Sequence, residues 1–271
     1  MASVQYEKWK YQKPLFQFVD IVQKKTIMKM MCVFFFLFFI IPQETIHTVQ
    51  KFNTVVCYDN RIFLAPFTGT SIFEFTKARE FKPITFTDDV NFRIYDFHIT
   101  PFALYLNNGT AINKFYFASG IIEEVYSSKD ISAFIITPFD ELIFADRTTH
   151  ELTFLDFADQ VKFKKTDIII KDLQEYNNVI YALSSNNMIL FDEHGNVLEE
   201  KKIPENCNRL FVDSNNIYLY SNDKKYLYRL ADDWEKIDLP HSISDICANN
   251  KLTVMLDGLD NNLYIYNKSD F

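Results

Sequence analysis

Between Thr54 and Phe271 the apolar positions fall into six copies of one pattern. Each copy opens with an apolar pair around one polar position, runs into a short strand, turns tightly and gives a second apolar strand. Ile62, Leu104, Ile143, Ile180, Ile217 and Leu252 hold equivalent places in the second strands, spaced 42, 39, 37, 37 and 35 residues apart. Internal periods of this length, built only from short strands, predict an all-β chain folded as a six-bladed β-propeller over residues 44–271.

The fourth copy shows the pattern most clearly. Asn178-Val179-Ile180-Tyr181-Ala182-Leu183 reads as a second strand, Met188-Ile189-Leu190-Phe191 as a third, and Asp192 to Asn196 as the hairpin turn between the third strand and a fourth that begins at Val197. Gly and Asn suit such a turn because they tolerate positive φ. The fifth copy repeats the plan with Asn216-Ile217-Tyr218-Leu219, Tyr226-Leu227-Tyr228 and Trp234 to Ile237. These strings, with Ile143-Phe144-Ala145-Asp146 and Leu152-Thr153-Phe154-Leu155-Asp156, resemble the NHL-type repeats of six-bladed propellers. There is no Trp-Asp strand ending of the WD40 kind and no Gly-Gly pair of the kelch kind.

Two further features refine the plan. Phe97-His98-Ile99-Thr100-Pro101-Phe102 recurs as Phe134-Ile135-Ile136-Thr137-Pro138-Phe139, and a proline repeated in register belongs at a strand end, where no backbone donor is needed. After Tyr264-Ile265-Tyr266 too little chain remains for a fourth strand, so Thr45 to Val49 is expected to complete the last blade and leave fewer open edges.

The first 43 residues read differently. Lys24, Lys25 and Lys29 precede an unbroken apolar run from 30 to 41 that ends at Pro42. Twelve residues are short for a membrane span of about 20, and match the core of an export signal. Residues 1–43 are therefore read as an extension carrying a signal peptide or an uncleaved membrane anchor, with translation starting at Met28 or Met30 as one account of its unusual depth in the chain. The expected localisation is export: periplasmic, secreted, or held to the membrane by this segment, which would be the chain's only membrane contact.

Composition supports strands and excludes one partner class. The chain has 28 Phe and 15 Tyr but only 5 Gly, which suits pleated, half-buried surfaces. Of 28 basic and 36 acidic groups, six and two lie in residues 1–43, leaving a body of net charge −12. Such a body repels phosphate backbones, so nucleic acid is not an expected partner. Cys57 and Cys247 stand five residues before their register positions in blades that closure makes neighbours. With Cys207 they leave an odd number, and they are read as small core residues rather than a disulfide.

Candidate chemistry is confined to one ring. No phosphate loop, GxSxG, HExxH or CxxC motif occurs, and the five histidines are scattered and read as packed or solvated residues. The position just before each inner strand's apolar stretch is Thr54, Asp96, Ala133, Asp172, Arg209 and Asp245. Innermost strands line a propeller's channel, so Asp96, Asp172 and Asp245 are expected at one channel mouth with Arg209 between two of them. Two roles follow. Asp at a strand start accepts backbone hydrogen bonds and ties one blade to the next; alternatively the three carboxylates take a divalent cation such as calcium, or a polar ligand. The leading functional expectation is a non-catalytic module that binds a protein or small ligand on one propeller face, at the cell envelope. The alternatives are a metal-dependent hydrolase resembling lactonase-type propellers, with the cation at Asp96, Asp172 and Asp245, and a structural envelope component.

Overall fold

The computed structural model describes residues 42–268, apart from 49, 85, 87–91, 205 and 215. The signal or anchor segment at 30–41 lies outside the described residues. Among the described residues twenty-four strands form six four-stranded antiparallel sheets arranged as blades, as the repeat predicts.

Blade 1 comprises β2 (Phe52–Tyr58), β3 (Arg61–Pro66), β4 (Phe73–Phe75) and β5 (Phe81–Pro83). Blade 2 comprises β6 (Asp96–Ile99), β7 (Ala103–Asn107), β8 (Ala111–Tyr116) and β9 (Ile122–Ser127). Blade 3 follows with β10 (Ile131–Ile136), β11 (Leu142–Asp146), β12 (Glu151–Leu155) and β13 (Val161–Lys165). Blade 4 is β14 (Ile170–Tyr176), β15 (Val179–Ser184), β16 (Asn187–Phe191) and β17 (Val197–Lys202). Blade 5 is β18 (Arg209–Val212), β19 (Ile217–Tyr220), β20 (Lys224–Leu230) and β21 (Trp234–Ile243). Blade 6 takes β22 (Asp245–Ala248), β23 (Leu252–Asp257) and β24 (Asn262–Asn267) from the end of the chain, and β1 (Glu44–His47) from near its beginning.

The closure expected at Thr45 to Val49 is thus present one residue earlier. β1 pairs antiparallel with β24, from Glu44 opposite Ile265 to His47 opposite Asn262. Within the described residues no helix is long and apolar enough to cross a membrane.

The continuous apolar character of the second strands has a direct cause. Successive side chains of a strand point to opposite faces, and here both faces are covered by neighbouring blades. Ile62 and Leu64 pack into the wedge between blades 6 and 1, while Phe63 and Ala65 pack into the wedge between blades 1 and 2. Leu104, Leu106 and Ile143 are buried in the same manner. With so few glycines, the turns obtain their left-handed residues from short polar side chains. Asn177 and Asn178, at φ 53° and 62°, make the two-residue turn between β14 and β15. The two Thr-Pro-Phe segments form the turns after β6 and β10, where the prolines leave no ladder bond unmade.

One expectation is overturned. Cys57 on β2 and Cys247 on β22 form a disulfide, with Cα atoms 5.5 Å apart and 190 residues between them. The seam between first and last blades sets these two inner strands side by side, which brings the sulfurs within bonding reach. Among the described residues the remaining cysteine, Cys207, is buried and free.

Candidate functional site

The ring residues sit where the inner strands begin. In blades 1, 3 and 4 a register shift immediately precedes them, at Phe52/Thr54, Ile131/Ala133 and Ile170/Asp172. The antiparallel order sends the loops between second and third strands, and those between blades, to one face of the disc. Loops joining first to second and third to fourth strands lie on the other. A cavity of about 570 Å³ opens on the first face, and Asp96 and Arg209 form part of its floor. A smaller channel cavity of about 230 Å³ lies below, lined by Asp96 and Arg209 again and by Thr54, Asp172 and Asp245. The charged ring therefore separates a wide mouth from the channel.

Asp172 and Asp245 hold blades together. Oδ2 of Asp172 accepts the Leu210 N–H of blade 5 at 2.7 Å, and its Oδ1 accepts the Leu173 N–H at 3.0 Å. Oδ2 of Asp245 accepts the Val55 N–H of blade 1 at 2.8 Å, across the closing seam. The Tyr220 hydroxyl of blade 5 donates to Asp245 Oδ1 at 3.1 Å. Blades whose ring position lacks a carboxylate are tied by other groups. Thr54 Oγ1 and Asn53 Nδ2 donate to the Tyr95 carbonyl, and Ser132 Oγ donates to the Ile170 carbonyl at 2.7 Å. Asp96 differs from its counterparts. Its Oδ1 takes only the N–H of its own neighbour, Phe97, and its carboxyl faces both cavities.

Arg209 is the cation of the ring, 3.9 Å from Asp172 Oδ1, and the surrounding carboxylates hold its guanidinium firmly protonated against the cost of burial. Burial pushes the Asp96 carboxyl up to about 7. Arg209 draws it back, and the like charges of Asp245 and Asp172 push it further. Asp172 rises to about 6, again mainly through burial, with Arg209 and the Leu210 N–H opposing. Asp245 is raised for the same first reason. Among the described residues, no three His, Cys, Asp or Glu side chains are grouped so that they could hold a metal ion. His98 packs edge-on against Phe134 with ring centroids 4.9 Å apart, and burial lowers its pKa to about 4, so it is neutral at physiological pH. His241 stacks on Tyr264 at 3.6 Å, while His47, His150 and His194 are exposed.

The sign of the pH dependence follows. A carboxyl that holds its proton to higher pH in the folded chain than in the unfolded one adds stability at low pH. That contribution is complete below about pH 4 and is lost as pH rises through 6 to 7. Asn at position 96 keeps the acceptor for Phe97 and removes the charge. Asp96→Asn should therefore raise stability at pH 8 by about 2 kcal/mol, a figure reduced for its partly exposed edge, and should match wild type near pH 4. Paired thermal melts across this range check it; a variant with no gain at pH 8 would overturn the account of Asp96.

Sequence reasoning missed Tyr220, the disulfide and the cations around the mouth. The Tyr220 hydroxyl could have been anticipated from its place opposite Arg209 in the blade 5 ladder. No family model and no curated protein matches the chain. Solved structures do match in fold. A streptogramin B lyase structure aligns with a TM-score of 0.61 at 10% identity, covering 83% of this chain and 86% of that one. A catalytically inactive virginiamycin B lyase from Staphylococcus aureus with quinupristin gives 0.60 at 10%, covering 84% and 86%. The WD40 β-propeller domain of Doa1 gives 0.61 at 12%, covering 81% and 80%, and a chain of the mitotic checkpoint complex 0.60 at 9%, covering 84% and 92%. At such identities the likeness speaks for architecture alone: the chain is a six-bladed β-propeller.

Proposed function

We propose that the chain is a non-catalytic binding module that holds a protein partner against the face opposite the mouth. The observation that carries this reading is a set of aromatic loop tips on blades 2 and 3. Phe102, Phe157, Phe139 and Phe117 are 74%, 73%, 59% and 45% exposed. They sit in loops of one face, and the Phe117 N–H bonds the Phe102 carbonyl. The Tyr105 hydroxyl and Lys114 Nζ of blade 2 both reach Asp140 in the Phe139 loop, so the two blades' tips are adjacent. Equivalent turns elsewhere carry Asp59, Asn177, Asp213 and Asn249. Clustered exposed aromatics mark interaction sites, and the acidic side chains of Asp156 and Asp159 beside them favour a partner surface with basic residues around an apolar centre. The propeller chain of the mitotic checkpoint complex, similar in fold, belongs to a protein assembly, which agrees with this reading.

Export belongs to the same proposal, with 30–41 as signal or anchor. The Cys57–Cys247 disulfide supports it, because such bonds persist in oxidising compartments. Site-specific photo-cross-linking in native cells tests the module. A cross-linkable residue at 102 or 139 should give discrete protein adducts, and one at Leu259, exposed near the mouth, should not. Phe157→Ser should remove the adducts while changing stability by less than about 0.5 kcal/mol. Equal labelling from all three positions would sink the reading.

A second reading rests on Asp96, a carboxyl near neutrality on the floor of a large cavity, which suits acid–base work in a hydrolase. A cation such as calcium at Asp96, Asp172 and Asp245 fits the geometry less well, since two of the three carboxylates already accept backbone N–H groups of neighbouring blades. Metal content of the purified chain, with melts before and after chelation, tests the cation.

A further inference from the structure

The mouth cavity has a second feature, independent of the ring and of the aromatic face. Although the body is strongly acidic, four cationic side chains, Lys51, Arg93, Arg147 and Arg209, line this cavity. Two are neutralised within the protein: Arg147 pairs with Asp130 at 3.4 Å, and Arg209 faces the ring carboxylates. The other two have no acidic partner among the described residues. Lys51 Nζ lies 5.1 Å from the centroid of the Phe67 ring, and the Arg93 guanidinium lies 4.4 Å from the same centroid and 4.5 Å from that of Tyr95. Two like charges thus share one aromatic ring, and among the described residues no carboxylate is paired with either.

The polar groups beside them are also incomplete. Arg93 Nε is buried without an acceptor, and the Asn53 Oδ1 is buried without a donor, although Asn53 Nδ2 is fixed to the Tyr95 carbonyl at 3.0 Å. Unmet buried donors and acceptors are costly and uncommon in native structures. The Phe67 and Tyr95 rings both pack against the Arg93 guanidinium, and Gly109 leaves room for this arrangement. A Cβ there would meet the Tyr95 ring at 3.1 Å, on a backbone at φ +90°. A guanidinium fork held between two rings is suited to the paired oxygens of a carboxylate or phosphate.

We propose that the mouth cavity is a binding site for a small organic oxyanion, a carboxylate or phosphate ester, held between Arg93 and Lys51 with its body over the Phe67–Tyr95 wall. The volume accommodates a ligand of ordinary small-molecule size. Binding brings an anion to two cations, so affinity falls as salt is raised.

Calorimetric titration of the full chain with inorganic phosphate and, separately, with benzoate tests this. At least one should bind with Kd near about 1 mM or tighter. Arg93→Met and Lys51→Met should each weaken it about tenfold or more with melting temperature unchanged. Arg93→Lys, which keeps charge but loses the fork, should fall between. Phosphate binding alone identifies a phosphoryl ligand, and benzoate binding alone a carboxylate. Phe157→Ser should leave either titration unaltered, so this site and the partner-binding face stand or fall separately. No heat from either anion up to about 10 mM, or full binding by both Met variants, overturns the proposal.

Discussion

Replacing Cys57 and Cys247 together with alanine will lower the unfolding free energy by about 3–5 kcal/mol, the largest effect expected from any change in this chain. The bond joins inner strands of the first and last blades and closes a loop of 190 residues. A cross-link acts largely by restricting the unfolded chain, and the restriction grows with the logarithm of the loop it closes. Here it spans nearly the whole propeller, so the unfolded state loses almost as much freedom as one bond can remove. The cross-link also stands beside the seam at which the ring is closed by non-consecutive chain, through β1 on β24. Denaturant titrations of wild type and double variant, each with and without reductant, check the value. Reductant should shift the wild-type midpoint and leave the variant's in place. A loss below about 1 kcal/mol would mean that apolar packing alone holds the seam, through Phe52, Val55, Val254 and Leu256.

What could be read in advance followed from periodicity. The six register residues sit in the second strands because those strands are covered on both faces, and that burial requires unbroken apolar runs. The closing strand was legible because a three-stranded last blade leaves an edge that only nearby chain can fill. Cysteine pairing was not. Equal offsets placed Cys57 and Cys247 on neighbouring inner strands, but separation in space depends on how tightly the seam closes, and an odd thiol count argued the other way. The ring was legible as a position through three like contexts, Tyr95-Asp96-Phe97, Lys171-Asp172-Leu173 and Ser244-Asp245-Ile246. Its division of roles was not, because whether a carboxylate meets a neighbour's N–H is settled by blade-to-blade spacing. For the same reason the Thr-Pro-Phe repeat announced a turn without announcing that its Phe points into solvent.

The second large effect falls on the ring at that same seam. Asp245→Ala should destabilise the propeller by about 2–4 kcal/mol at pH 7.5. Donors from two other blades lose their acceptor, the Val55 N–H of blade 1 and the Tyr220 hydroxyl of blade 5, as does the adjacent Ile246 N–H. Each group left unmatched in a buried setting costs about 1–3 kcal/mol, and Arg209 also loses a counter-charge. One term opposes the loss. Asp245 is penalised by burial and repels Asp96 and Asp172, so removing its charge recovers part of the cost. Asn separates these contributions, because it keeps an acceptor oxygen without the charge, and Asp245→Asn should cost less than half as much as Ala. A double-mutant cycle with Tyr220→Phe isolates the blade 5 contact, and the pair should be clearly non-additive. If Ala and Asn variants unfold at the wild-type denaturant midpoint, the carboxylate does not tie the blades. Its place over the channel would then have to be explained by a ligand.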